Sequence, residues 1–301
     1  MTHRRAVLLM LVVTLLWSTA GVVTRHLEAA RSFEVTFWRS AFNALALAAA
    51  LAWMRGPALA GQIRRASASV WVSALCWATM FTAFMVSIML TSVANVLVTM
   101  SLGPLLTALF ARVFLRHRLP TRTWAAIALG SLGLAWMFGH EMQGGPGALI
   151  GVAVAFAVPL AAATNWTLLQ HVQRGKAGSA SDPDMLLAVL LGALISAALT
   201  LPLAWPLQAG AHDLTLLAGL GVFQLAVPCL LAVWLTRVLA APEIALLGLL
   251  EVIFGVLWAW LGAGEAPSFA ALAGGAMVLL ALLGNELLGL RSRACGTRSK
   301  N

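Results

Sequence analysis

Apolar runs of about 20 residues recur along almost the whole chain, at 6–24, 35–54, 70–90, 93–115, 124–138, 148–169, 185–203, 214–235, 244–261 and 269–288, with short polar breaks between them. Helices of about that length span a hydrocarbon core of ~30 Å. The short alternating segments of a spanning barrel do not occur. The pattern therefore predicts an all-α integral membrane protein of ten transmembrane helices. Its narrowest break is Thr91-Ser92. A single helix through that point would run ~60 Å or more, so a tight hairpin is expected. The first run reads as a mature helix, because Thr24-Arg25-His26-Leu27-Glu28 offers no small-residue cleavage site.

Composition agrees with the pattern: 61% of the 301 residues are hydrophobic and 10% charged, where a soluble domain carries roughly a quarter charged. The formal charge of +9 gains meaning from its distribution. With the N-terminus inside, 16 of the 19 Lys and Arg fall in cytoplasmic positions, leaving Arg25, Arg31 and Arg39 on the outer side. Topogenic charge of this kind orients a multi-pass protein of the inner (plasma) membrane with both termini cytoplasmic. It also argues against nucleic acid as a partner. Cys76, Cys229 and Cys295 form no CxxC or Cys/His spacing, so neither a metal, a cofactor nor a disulfide framework is expected.

The longest polar connection, 171–184, lies near mid-chain. It separates two sets of five runs, and an odd number per half inverts the second half relative to the first. A shift of 148 residues lays Leu102-Gly103-Pro104 on Leu250-Glu251-Val252 and Arg116-His117 on Gly264-Glu265. Identities are few, but the shift joins equivalent turns of the two halves, as an inverted repeat requires.

Thr91-Ser92-Val93-Ala94-Asn95 with Gly103-Pro104-Leu105-Leu106-Thr107-Ala108-Leu109 is similar to the fourth helix of the EamA-type drug/metabolite transporters. Leu249-Leu250-Glu251-Val252-Ile253-Phe254 followed by Gly264-Glu265 resembles that family's ninth helix, and Arg39 matches a basic residue of its second. Val252 stands where the family has proline, and Arg116-His117 where its first half has Gly-Glu. The resemblance runs from end to end. It implies a first repeat over 1–140, a second, inverted one over 147–290, and a basic cytoplasmic tail over 291–301. It also implies gradient-driven transport of small metabolites such as amino acids, or of drugs, usually outward.

Glu251 is the most informative single residue. An acid ~10 Å inside a span costs ~2.5–3.5 kcal/mol on insertion scales and should face a cavity or a partner. Substrate binding or proton coupling is the functional reading; a hydrogen-bonded acid fixing helix packing is the plain one. Arg39 and Asn43 lie one turn apart on the second run, and Arg39 is near enough to the outer surface to snorkel. Asn95, Asn165, Trp166, Gln224 and Trp17 are amides or aromatics at membrane depth, where interhelical hydrogen bonding explains an amide without any ligand. The rise per residue puts Arg39 and Glu251 ~14 Å apart along the membrane normal, a gap that a zwitterion or water would bridge.

Pro104, Pro159 and Pro228 are expected to interrupt helices four, six and eight. Gly130, Gly133, Gly274 and Gly275 mark helices five and ten as places of close contact, with a homodimer as one use of them. A structural or receptor membrane protein is the alternative reading. A membrane-embedded enzyme is further off, since HExxH, paired-aspartate and phosphate-loop motifs are all absent.

Overall fold

The computed structural model describes residues 1–116, 119–139, 148–175, 185–263 and 268–298. Its helices are α1 (His3–Thr24), α2 (Ser32–Arg55), α3 (Ala68–Leu90), α4 (Val93–Met100 continued by Gly103–Phe114), α5 (Thr121–Gly139), α6 (Ala148–Gly175), α7 (Met185–Ala204), α8 (Ala211–Leu235), α9 (Ala241–Gly248 continued by Leu250–Ala263) and α10 (Phe269–Arg298). Among the described residues there is no strand. Eight of these helices are long and apolar enough to cross a membrane; α5 and α10 stand apart, α10 contributing the shorter apolar stretch Phe269–Asn285. Helix satisfies every backbone group within one segment, which hydrocarbon demands.

Local chemistry sets the ends. Thr2 caps α1 by accepting from the Arg5 amide, and Ser92 caps α4 by accepting from the Asn95 amide at 3.2 Å. Thr91 is extended between Leu90 and that cap, so the fused apolar run does break into a hairpin. α2 stops at Gly56, whose φ of 55° suits a residue without Cβ. Proline sits in the first turn of Gly103–Phe114, Val227–Leu235 and Ala241–Gly248, where its missing N–H costs nothing.

Of the three prolines expected to break helices, Pro104 and Pro228 do mark interruptions, but Pro159 lies inside an unbroken α6. Neighbouring helices can re-satisfy the carbonyl that an intramembrane proline frees. Conversely α1 breaks at Ser18-Thr19 without proline or glycine. There the Ser18 and Thr19 hydroxyls turn back onto the carbonyls of Leu15 and Leu16, both at 2.7 Å, a competition that bends helices.

The main pairings are α3 with α6, α1 with α8, α2 and α3 with α7, α2 with α8, α4 with α6 and α9, and α5 with α10. The last is a close one: a Cβ on Gly133 would lie 2.7 Å from the Gly274 carbonyl. These glycines are thus occupied within the chain. The Arg116-His117 and Gly264-Glu265 turns and the seam 171–184 lie wholly or partly outside the described residues.

Candidate functional site

Arg39 reaches the interior from the second turn of α2 and is 6% exposed. One guanidinium nitrogen donates to Gln224 Oε1 at 3.0 Å and another to Met85 Sδ at 3.2 Å, while Nε is buried without a partner. Every direct partner is neutral. Removing a cation from water is costly unless an anion answers it. Glu251 is within electrostatic reach of Arg39, yet no ion pair among the described residues joins them. Glu251 is only part-buried, lies in the first turn after the break at Leu249, and makes no hydrogen bond with a described residue.

The backbone around Arg39 is irregular for identifiable reasons. Gln224 sits in a π-helical stretch, Leu220–Ala226, ahead of Pro228; such wide turns re-aim side chains and recur at functional sites. Gln224 Nε2 donates to the carbonyl of Trp17, at the α1 break, at 3.2 Å. Its amide therefore ties Arg39 of α2 to α1 from α8. Trp258 of α9 donates its indole N–H to Ser18 Oγ at 3.0 Å on the same break. Gly221 lets α8 approach α2 here, since a Cβ would stand 2.9 Å from both the Arg39 carbonyl and the Asn43 amide. Asn43 is fully buried one turn below Arg39, with neither side-chain amide atom hydrogen-bonded.

The other candidates fall elsewhere. Asn165 Oδ1 accepts from Ser73 of α3 at 2.6 Å, and Trp166 meets Trp77 edge-on with ring centroids 5.6 Å apart. Both belong to the α3–α6 contact. Asn95 donates to Thr91 Oγ1 at 2.7 Å, inside the α3–α4 hairpin. Arg39, Gln224, the Trp17 carbonyl and Glu251 thus gather around one interior region, and Asn165, Trp166 and Asn95 sit in helix contacts. Ser18, which the sequence places beside Trp17 at membrane depth, joins that region, and so do Met85 and Trp258, which no sequence signal singles out. Two buried acids, Glu34 and Asp213, were also illegible. An apolar depression of about 460 Å³ on the α5–α10 face, lined by Leu132, Ala135, Trp136, Gly139 and Met277, shares no residue with this region.

Residues 4–139 match the EamA-like transporter family. No curated protein matches the chain. A solved structure described as "Crystal structure of protein" superimposes with a TM-score of 0.73 at 21% identity, covering 96% of this chain and 99% of its own. At that identity the likeness is one of fold.

Proposed function

Residues 4–139 belong to the EamA-like transporter family, and on that premise we propose that this multi-pass membrane protein is a secondary transporter exporting small metabolites by alternating access. The observation that carries the reading is a buried guanidinium held by neutral groups, with an unbonded carboxylate in electrostatic reach. That arrangement suits a zwitterion or mixed polar/apolar metabolite, its carboxylate on Arg39 and its cationic end toward Glu251. Trp17 and the surrounding aliphatic side chains supply apolar walls, as ligand sites commonly have. Glu251 carries proton coupling in this reading, because an intramembrane acid facing a cavity can exchange protons between the two sides. Asn43 lines the same face of α2. The family is one of transporters, which argues against an enzyme.

The architecture proposed is ten helices in two inverted halves, 1–140 and 147–290, with termini and seam in the cytoplasm. Two observations favour it. Moving five helices along the chain turns α3–α6 into α8–α1, α3–α7 into α8–α2 and α4–α6 into α9–α1, and each resulting pair is also packed. The break after Met100 in α4 likewise falls 148 residues before that at Leu249 in α9. The decisive experiment is accumulation in proteoliposomes across a panel of amino acids, other metabolites and cationic drugs. Selective accumulation of carboxylate-bearing solutes supports the reading; no transport of any class removes it.

A further inference from the structure

Two buried carboxylates at one end of the bundle hold each other's loops. Asp213, at the start of α8, is 1% exposed and accepts from the amides of Glu28, Ala29 and Ala30 at 2.9, 2.8 and 2.7 Å. Those amides belong to the loop between α1 and α2. Glu34, at the start of α2, is 4% exposed and accepts at Oε1 from the amides of Gln208 and Ala209, both at 2.8 Å. Those belong to the loop between α7 and α8. Each helix start thus clasps the loop that leads into the other. Trp38 adds an indole N–H to Glu34 Oε1 at 3.3 Å.

Beneath the clasp lies a small apolar core separate from the main one, made of Ala30, Val35, Leu217 and Leu220, with Leu27, Trp38 and Met85 packed against it. Met85 also accepts from Arg39. The clasp therefore sits directly over the candidate site, Glu34 being only five residues, or ~7.5 Å, from Arg39 along α2. We propose that this reciprocal pair of carboxylate–amide contacts is the latch of the outer gate. In the closed state it joins α1–α2 to α7–α8, and the small core beneath it seals Arg39 from the outside. Opening separates both carboxylates from their amides together, because each holds the other's loop. Charged acceptors bond amides more strongly than neutral ones, so Asn and Gln at these positions weaken closure while preserving side-chain size. Calling this end the outer one rests on the orientation proposed above.

The test uses the full-length chain with its native cysteines replaced and Val35→Cys as reporter, Val35 being 5% exposed in the small core. Labelling by a membrane-impermeant maleimide is timed in intact cells and in inverted vesicles. Asp213→Asn should speed labelling roughly tenfold, and Asp213→Asn with Glu34→Gln further, since each lost charge-assisted bond is worth about that factor in a closing equilibrium. A second reporter, Ala188→Cys, buried in the main core, should stay unlabelled. An unchanged Val35→Cys rate overturns the latch, and so does equal acceleration of Ala188→Cys, which would mark general unfolding. Acceleration confined to inverted vesicles keeps the latch and overturns the orientation.

Discussion

Two helix crossings that the proposed repeat makes equivalent have been built differently. α3 and α6 meet as unbroken helices, with Ser73 on Asn165 and Trp77 edge-on to Trp166. α1 and α8 meet where one is broken at Ser18-Thr19 and the other widens into a π-helical stretch, and there Gln224 links Arg39 to the Trp17 carbonyl. One crossing fastens its helices through Ser73 and the Asn165 oxygen, while the Asn165 Nδ2 and the Trp77 indole N–H stay buried without a partner and carry no charge. The other directs its polar atoms inward at a buried cation whose charge no direct contact neutralises. Regular backbone satisfies itself and leaves side chains only packing to do, whereas irregular backbone presents polar groups that something else must answer.

Substitutions that act at one crossing and not the other sharpen the contrast. Glu251→Gln should have the largest effect, lowering proton-gradient-driven accumulation roughly a hundredfold, to background, while substrate exchange without a gradient persists, as expected of an intramembrane coupling acid. Flux at a series of external pH values would check this; an unchanged pH dependence makes Glu251 a packing residue. Gln224→Glu should come next. It places a carboxylate where the amide oxygen now bonds Arg39, supplying from within the anion that a substrate would bring, and should weaken carboxylate-bearing ligands by roughly tenfold or more. Titration calorimetry would read that loss beside a rise in melting temperature. Asn165→Ala should do least: interhelical bonds of this kind are worth ~0.6–2 kcal/mol, so the melting temperature falls a few degrees and substrate affinity stays put. A transport defect there would erase the distinction between the crossings.

Most of the helical layout was legible because twenty-residue apolar runs have one physical meaning in lipid. The site was legible in its members and not in its bonds. Arg39, Gln224 and Glu251 each stand out as polar groups at membrane depth, but nothing local says that Gln224 would bond Arg39, 185 positions away. The α1 break was hidden because its agents, Ser18 and Thr19, are ordinary helix residues until their hydroxyls turn inward. Pro159 misled in the opposite direction: a proline leaves the carbonyl four residues before it without its usual donor, which a membrane helix can tolerate without breaking, and α6 runs on through it. Glu34 and Asp213 resemble the common acids of a first turn, favoured by the helix dipole. Their partners are loop amides more than 170 residues distant.

The central claim is that the buried guanidinium of Arg39 receives the carboxylate of the transported solute. Its most direct test is a comparison of binding affinities for an amino acid and for the corresponding amine lacking the carboxylate, in the wild-type protein and in Arg39→Ala. The expected result is a preference for the amino acid that disappears in the variant, through a loss of roughly tenfold or more on the carboxylate ligand, the worth of one or more charge-assisted bonds, with little change for the amine. Equal losses for both ligands, in a variant that still folds and inserts, would contradict it.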